Sequence, residues 1–251
     1  MKEWQSDSPK LQLVDLSFSW KPNTPKLFGS LDKCFKSGTI AAILGPNGVG
    51  KTTLFNIIAN RLPSSSGHVL LNDSPMRKTD FNFMIQDPSR LLFSHLTLAE
   101  NIALVKRDLE IQDFKCIKQL IFPKEDVLGR YPSQASGGQR QRAVLYRTLS
   151  DVPNFPVTLL DEPFSQLSQD IKLPLYEQIR CIIRGSMQII LLITHDISEA
   201  LLLSDEVLVL TSHQISSFDT SQILNPTDLS SNNIWEQVQM TLLGDYYSTR
   251  L

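Results

Sequence analysis

The segment at residues 45–52 carries the strongest chemical signal in the sequence. It reads GPNGVGKT, fits the pattern G-x-x-x-x-G-K-[ST], and lies between an apolar run and a helical pattern. Glycines permit backbone conformations in which consecutive N–H groups point at phosphate oxygens, and the following helix adds its positive dipole end. Lys51 would neutralise the β and γ phosphates, and the Thr52 hydroxyl would ligate Mg²⁺. The predicted phosphate cradle comprises Gly45, Asn47, Gly48, Gly50, Lys51, Thr52 and Thr53.

Two acidic residues, Asp161 and Glu162, follow a second apolar run at residues 157–160. A strand ending there places both carboxylates at the carboxyl edge of a parallel sheet, beside the phosphate loop. Because successive strand residues point to opposite faces, we expect different roles for the two acids. Asp161 is the predicted Mg²⁺ partner, and Glu162 the predicted general base that polarises the attacking water. Two solvated charges at a strand end are the alternative, which the phosphate loop upstream disfavours.

The apolar patterns predict an α/β fold. Residues 11–20 alternate as in a half-buried strand, and short apolar runs at 39–44, 157–160, 188–193 and 207–210 are typical of strands buried on both faces. Residues 51–60 have helical spacing, residues 88–153 read as mostly helical, and residues 234–243 fit a short amphipathic helix. Strands separated by helices predict a doubly wound or RecA-like core.

Composition narrows the class of protein further. The chain has 251 residues, 41% hydrophobic and 20% charged, which suits one large α/β domain with a subdomain. A net charge of −2 offers no basic surplus for nucleic acid. Cys34, Cys116 and Cys181 form no CxxC pair, which argues against a zinc site and favours a reducing compartment. The polar start MKEWQSDSPK and the lack of a long apolar run predict a cytoplasmic chain that reaches a membrane only through a partner.

Residues 135–142, which read ASGGQRQR, resemble the signature of the ABC ATPase superfamily, usually LSGGQ followed by a basic residue and QR. The resemblance covers nearly the whole chain. It implies the ABC ATPase fold, a RecA-like P-loop core with a small antiparallel β subdomain and a helical subdomain. We expect a single domain over residues 1–251, with the core at 1–86 and 156–215, the helical subdomain at 87–155 and a C-terminal tail at 216–251.

The same resemblance implies roles for three single residues. Trp20 takes the place of the aromatic residue that stacks on adenine, although a tryptophan on an alternating strand is often only part of a core. Gln86, in FMIQD, resembles the glutamine that contacts the γ-phosphate region and Mg²⁺ and links them to the membrane partner. His195, in LLITHD, resembles the histidine that contacts the γ-phosphate, although a lone histidine after a strand is more often structural.

A second anion cradle is predicted at the signature. The hydroxyl of Ser136 and the amides of Gly137 and Gly138 precede a helix and can bind phosphate as the first loop does, with Gln139 beside them. By resemblance, each signature faces the phosphate loop of the opposite subunit. Two ATP molecules are then buried in a head-to-tail dimer, whose closure on ATP and reopening after hydrolysis supply a two-state stroke.

Two positions depart from the family pattern. The signature leucine is Ala135, which removes packing but leaves the phosphate-contacting residues intact. Residues 164–168, FSQLS, resemble the family's D-loop, but Ser168 stands where aspartate is usual. The second change bears on communication between the two ATP sites and on the hydrolysis rate, and Asp170 lies two residues further on as a candidate substitute.

The resemblance implies an ATP-hydrolysing subunit of a transporter. Residues 161–164 and 194–210 are similar to bacterial importers for nitrate, sulfonates and taurine, and more loosely to those for thiamine or iron. The chain ends soon after the core, without the appended regulatory domain of longer sugar-importer ATPases. Expected partners are a second copy, transmembrane permease subunits and a periplasmic or surface substrate-binding protein, with the chain peripheral on the inner face of the membrane. A non-transport ABC ATPase and an ATP-binding switch with impaired hydrolysis are the alternatives. Residues 88–101, including Leu91, Leu92 and Phe93, fit a permease-docking patch and subdomain packing equally well.

Overall fold

A computed structural model describes residues 8–21, 24, 26–105, 112–184, 186–211, 215–223 and 233–248 of the protein. Its central sheet has six strands in the order β10-β9-β3-β8-β7-β6. They are β3 (Thr39–Leu44), β6 (Phe81–Met84), β7 (Val157–Asp161), β8 (Ile189–Ile193), β9 (Glu206–Leu210) and β10 (Ile215–Asp219). The first five pair in parallel, and β10 pairs antiparallel with β9. The apolar runs of the central strands are fully buried because helices cover both faces of a parallel sheet.

A smaller antiparallel sheet precedes and flanks this core. Its order is β2-β1-β4-β5, formed by β1 (Lys10–Phe18), β2 (Phe28–Lys36), β4 (Ser66–Leu71) and β5 (Ser74–Pro75). The two-residue period of β1 turns Leu11 and Leu13 into the interior, and an irregularity before Leu16, where Asp15 has a φ angle of 46°, brings Leu16 to the same side. The sequence indicated only the first of these four strands, since the others carry mixed polar patterns.

Helices complete the fold on both sides of the central sheet. They are α1 (Lys51–Ile58), α2 (Leu98–Ala103), α3 (Gln112–Ile121), α4 (Gly137–Asp151), α5 (Gln169–Ile183), α6 (Ile197–Leu203) and α7 (Ile234–Ser248). Short 3₁₀ segments at Pro88–Leu91, Glu125–Gly129, Pro132–Gln134 and Val152–Asn154 connect the helices between β6 and β7. Within the described parts of residues 87–155, all regular structure is helical.

Two apolar cores lie on opposite faces of the central sheet. Along β3, Ile40, Ala42 and Leu44 contribute to one core, while Ala41 and Ile43 contribute to the other, as the two-residue period of a strand requires. The core sheet also extends beyond the boundary that we expected at residue 215, because β10 pairs with β9 along its whole length. Among the described residues, no helix combines the length and apolar character needed to cross a bilayer.

Candidate nucleotide-binding site

The loop between β3 and α1 has the conformation of a phosphate cradle. Gly48 and Gly50 have φ angles of 84° and 110°, in the left-handed region that side chains disfavour. A Cβ atom on Gly50 would also lie 2.7 Å from Leu27 Cδ2, and one on Gly45 would lie 2.3 Å from the carbonyl oxygen of Leu210. The glycines of the motif are therefore required both by backbone conformation and by close packing.

Lys51 begins α1 and is held inside this loop. Its Nζ donates hydrogen bonds to the carbonyl oxygens of Gly45, at 2.7 Å, and of Pro46, at 2.9 Å. Burial lowers the pKa of Lys51, and the nearby charges of Glu162 and Asp161 oppose this effect. The ammonium group is thus partly desolvated, which strengthens its attraction for an anion bound in the loop.

Asp161 is the last residue of β7, and its side chain is only 3% exposed. The Thr52 hydroxyl donates to Asp161 Oδ2 at 3.3 Å. Burial raises the pKa of Asp161 to about 6, with the hydrogen bond from Thr52 acting in the opposite direction. A desolvated carboxylate of this kind is stabilised by a cation, so the two oxygens fit a Mg²⁺ site.

The described residues contain no group of three or more His, Cys, Asp or Glu side chains that could hold a metal ion alone. Mg²⁺ binds in proteins through one or two carboxylates and completes its shell with water and substrate phosphates. The donor set at Thr52 and Asp161 therefore fits Mg²⁺ bound together with a nucleotide.

Glu162 lies just beyond β7 with a φ angle of 49°, a strained conformation for a residue with a side chain. Its N–H donates to the carbonyl oxygen of Ile193 at 2.9 Å. Its own carbonyl oxygen accepts from Gln141 Nε2 at 3.0 Å and from the Ser165 hydroxyl at 3.1 Å. We expected strand alternation to turn the two acidic side chains to opposite faces, but only Asp161 lies within the strand. The direction of the Glu162 side chain follows instead from its positive φ, which these three hydrogen bonds stabilise.

His195 follows β8 and lies beside Glu162. Its Nδ1 atom is 3.3 Å from Glu162 Oε1, and its side chain is 63% exposed while that of Glu162 is 18% exposed. The imidazole is therefore accessible to solvent while it contacts the carboxylate, although it does not line the cavity over the phosphate loop. Adjacent parallel strands β7 and β8 bring the two residues together.

Most of the residues predicted to bind the nucleotide and Mg²⁺ line one cavity. Its volume is about 520 Å³, within the range of small-molecule sites. The residues that line it are Trp20, Leu27, Asn47, Gly48, Gly50, Lys51, Thr52, Thr53, Gln86, Asp161, Glu162 and Ile193. The Trp20 ring is 66% exposed and makes an edge-to-face contact with Phe18, with 5.0 Å between ring centroids. Its free face is available for stacking.

The signature residues do not line this cavity. Ser136 caps α4, where its hydroxyl accepts from the Gln139 N–H at 3.2 Å while Gln139 Oε1 accepts from the Ser136 N–H at 2.9 Å. The Ser136 hydroxyl can still donate its proton. The side chain of Gln166 lies over Gly137 and Gly138, so close that a Cβ on Gly137 would be 3.2 Å from Gln166 Oε1. One chain thus presents two separate anion cradles, and the ligand roles of all these residues stay predictions.

Several residues that shape the site were not singled out from the sequence. Gln141 donates to Glu162 and also, at 3.1 Å each, to the Pro163 carbonyl oxygen and the Ser165 hydroxyl. It lies on α4, one turn after the signature, so it connects the second anion cradle to Glu162. A glutamine in the string GQRQR gives no local sign of this contact, which depends on how α4 packs against the end of β7.

Ala135 and Ser168, which depart from the family pattern, and the apolar residues 91–93 differ in their exposure and contacts. Ala135 is buried in the core, and Ser168 begins α5 without a side-chain capping hydrogen bond. Leu91 and Leu92 pack partly buried against the core, whereas Phe93 is 54% exposed. Subdomain packing therefore accounts for the two leucines, and only Phe93 fits the exposed patch.

A phosphate cradle between a buried strand and a helix, with a buried aspartate at the end of a parallel strand, defines a P-loop nucleotide-binding domain. A family model described as ABC transporter matches residues 28–165, more than half of the chain. The sulfate/thiosulfate import ATP-binding protein CysA 2 of Agrobacterium fabrum is 40% identical over 72% of this chain and 55% of its own length. The thiamine import ATP-binding protein ThiQ of Yersinia pseudotuberculosis is 34% identical over 79% of this chain and 88% of its own length.

The fold has a counterpart among solved structures. A post-hydrolysis dimer of the ATP-binding cassette MJ0796 bound to ADP and Pi is 21% identical, with a TM-score of 0.69 over 84% of this chain and 98% of that one. The predicted fold class is thereby confirmed. The chain belongs to the ABC transporter family, as one of its ATP-binding cassettes, which confirms the prediction of an ATP-binding subunit of this family.

Proposed function

We propose that the chain is the ATP-hydrolysing subunit of a bacterial ABC importer and acts as one half of a dimer that encloses ATP. The observation that carries the proposal is the cavity shared by the phosphate loop, Asp161 and Glu162, with His195 at 3.3 Å from Glu162. Both relatives named above are import ATP-binding proteins, which supports the direction of transport.

The residues of the cavity account for binding. Trp20 stacks on the adenine ring, the loop amides and Lys51 bind the phosphates, and the bound nucleotide fills the space beside Gln86. Thr52, Gln86 and Asp161 would hold Mg²⁺, which when bound would supply positive charge to the phosphate oxygens. These roles follow from the predicted motifs and from the position of each residue at the cavity.

The residues beside the γ-phosphate account for hydrolysis. Glu162 accepts a proton from the attacking water while the bond between the γ-phosphorus and the ADP oxygen breaks, and ADP leaves with inorganic phosphate as the second product. His195, in contact with Glu162, donates a hydrogen bond to the γ-phosphate. Three hydrogen bonds to the N–H and the carbonyl oxygen of Glu162 stabilise its strained φ, and this backbone conformation sets the direction of the carboxylate.

The second anion cradle is the reason for proposing a dimer. Ser136, Gly137 and Gly138 lie outside the cavity of their own chain, so they are available to a nucleotide bound by another copy. The dimer of the cassette MJ0796 supports this arrangement. Permease subunits, with Gln86 and Phe93 on the facing surface, and a periplasmic or surface substrate-binding protein complete the proposed complex on the cytoplasmic face of the membrane.

The transported solute is proposed only as a class. The sequence motifs predicted a likeness to importers for nitrate, sulfonates and taurine, and more loosely for thiamine or iron, whereas the relatives described above are named as import proteins for sulfate or thiosulfate and for thiamine. We infer a small solute delivered by a binding protein. The neighbouring genes test this: a permease and a binding protein beside this gene support import, and an efflux pump lacking any binding protein contradicts it.

Replacement of Glu162 by Gln tests the hydrolytic mechanism. Loss of a general base is expected to lower ATP turnover by about 10²- to 10⁴-fold, while Mg-ATP binding persists and a dimer accumulates in sedimentation experiments. Glu177→Gln, at an exposed carboxylate on α5, is the matched control and should hydrolyse ATP as the wild type does. Turnover that is the same in Glu162→Gln and in the wild type would refute the assignment.

An ATP-binding switch is the second candidate. It is favoured by Ser168, which stands where the family usually has aspartate and begins α5 without a side-chain capping hydrogen bond. A wild-type protein that, with its permease, bound Mg-ATP and closed but released no phosphate would support the switch over the ATPase.

A further inference from the structure

Two buried cations on α5 hold the two ends of α6. Lys172 and Arg180 are only 7% and 6% exposed. Arg180 Nη1 donates to the carbonyl oxygen of Leu202, at 2.7 Å, in the last turn of α6, and to that of Ile223, at 2.6 Å. Lys172, two turns earlier on α5, lies at the first turn of α6. The first turn is also the one that follows His195.

Lys172 is the positive centre of a cluster at this first turn. Its Nζ atom is 3.2 Å from Glu199 Oε2 and 3.7 Å from Asp196 Oδ2. Glu199 is 3% exposed and also accepts a hydrogen bond from the Tyr176 hydroxyl at 3.0 Å. Burial raises the pKa of Glu199, while a hydrogen bond from Thr194 and the charge of Lys172 oppose the rise. One buried ammonium group therefore compensates the buried carboxylate of Glu199 and the partly exposed one of Asp196.

This cluster adjoins the proposed catalytic residues. Asp196 is the N-cap of α6, where its Oδ1 accepts from the Glu199 N–H at 3.2 Å, and it directly follows His195. A cavity of about 50 Å³ lies between the two groups, with Glu162 and His195 on one side and Lys172 and Glu199 on the other. A displacement of the first turn of α6 would therefore move His195 relative to Glu162.

The turn of α5 that carries Lys172 is joined to the D-loop segment at residues 164–168. The N–H groups of Ile171 and Lys172 both donate to the carbonyl oxygen of Ser168 at 3.1 Å. Ser168 provides no side-chain cap, and Pro174, inside the helix, has no N–H to donate to the carbonyl of Asp170. The ion pairs of Lys172 add side-chain contacts where the helix lacks that backbone bond and the cap.

We propose that Lys172 is a positioning residue that fixes the first turn of α6 to the start of α5, so that His195 keeps its place beside Glu162 and follows movements of the D-loop segment. The catalytic consequence rests on the proposed hydrolytic function, whereas the mechanical link between the two helices does not. Lys172 does not line the nucleotide cavity. It should therefore affect the turnover number and leave the Michaelis constant for ATP nearly unchanged.

The test compares matched variants of the two buried cations. Lys172→Met alone leaves two uncompensated carboxylates and can fail to fold, so Lys172→Met/Glu199→Gln, which removes the positive charge and one of the carboxylates, is the working variant. Arg180→Met or, if it does not fold, Arg180→Lys perturbs the other end of α6. Lys172→Arg keeps the charge, and the neighbouring cavity has room for the larger head group.

Hydrogen exchange and steady-state kinetics give two independent readouts. The double variant should exchange faster at the amides of Asp196, Glu199 and Ala200, which donate to Thr194 Oγ1, Asp196 Oδ1 and the Asp196 carbonyl oxygen. The Arg180 variant should instead exchange faster at residues 202–204. At temperatures where all variants are folded, the turnover number of the double variant should fall on the order of ten- to a hundredfold, with wild-type KM. The Arg180 variant and Lys172→Arg should keep most of the turnover.

Three results would overturn the proposal: unchanged exchange at the amides of Asp196, Glu199 and Ala200, a double variant with wild-type turnover, or an equal loss of turnover in the Arg180 variant at matched stability. If the proposed hydrolytic function is wrong, the result differs, because the wild type itself then releases no phosphate. In that case the exchange pattern alone decides whether Lys172 positions the first turn of α6.

Discussion

Replacement of the buried Asp161 by Asn is expected to stabilise the nucleotide-free protein in a strongly pH-dependent way. The folded-state pKa of Asp161 is about 6, above its ordinary value of 3.8, because burial penalises the carboxylate. The folded protein therefore binds this proton more tightly than the unfolded chain does. The contribution of protonated Asp161 to the free energy of unfolding is therefore fully present below about pH 4 and is lost as the pH rises through about 6.

The size of the effect follows from the shift. The difference between 3.8 and about 6 corresponds to about 3 kcal/mol at about 1.36 kcal/mol per pKa unit. Between about pH 4.5 and about pH 7.5, the wild type should lose roughly 2 kcal/mol of its free energy of unfolding through the ionisation of Asp161. An asparagine cannot ionise, so the variant does not lose this stability. Its buried NH₂ group adds a cost that does not depend on pH, and it cancels when the two pH values are compared.

The assay is urea denaturation of both proteins at the two pH values without nucleotide. The free energy of unfolding of Asp161→Asn, relative to the wild type, should rise by roughly 2 kcal/mol from the lower to the higher pH. Asp170→Asn, an exposed carboxylate on α5, is the control and should change by about 0.5 kcal/mol or less. A relative stability of Asp161→Asn that is the same at both pH values would refute the reasoning. The variant should also lose the thermal stabilisation that Mg-ATP gives the wild type, since it has lost the predicted Mg²⁺ ligand.

Three further outcomes are expected. The hydroxyl of Thr158 is buried in β7 without a hydrogen-bond partner, so Thr158→Val should raise the free energy of unfolding by about 1 kcal/mol in urea titrations, and a loss of stability would contradict this. Trp20→Ala should weaken Mg-ATP binding in calorimetry by about 1–3 kcal/mol, whereas unchanged affinity would show that the ring only packs on Phe18. Gln141→Leu removes donors to the carbonyls of Glu162 and Pro163 and should cost about 2–4 kcal/mol of stability in the same titrations together with most of the turnover; full turnover would show that Glu162 keeps its position without Gln141.

The parts of the fold that sequence patterns predicted are those with a simple physical signature. The apolar run at residues 39–44 coincides with β3, because a strand covered on both faces needs apolar side chains at every position. By contrast, β2 and β4 carry polar residues on their exposed faces and escaped detection. The strand β6 is only four residues long, which is too short for a period to emerge.

In the candidate site, too, sequence patterns predicted some features and missed others. Motif spacing predicted the loop at residues 45–52 and the acids after β7, since phosphate chemistry requires those residue types in that order. It did not predict how Glu162 is aimed, because its positive φ depends on Gln141 and Ser165, which come from a helix and a turn outside the motif. Nor did it indicate Lys172, whose partners lie 24 and 27 positions away in the chain. Contacts of this kind arise only from tertiary packing.

A structure of the Glu162→Gln variant bound to Mg-ATP would show whether two copies enclose the nucleotide together. We predict two copies arranged head to tail, with the Ser136 hydroxyl of each copy within about 3 Å of the γ-phosphate held by Lys51 of the other copy. A nucleotide-bound form in which Ser136 contacts no phosphate of either copy would contradict this prediction.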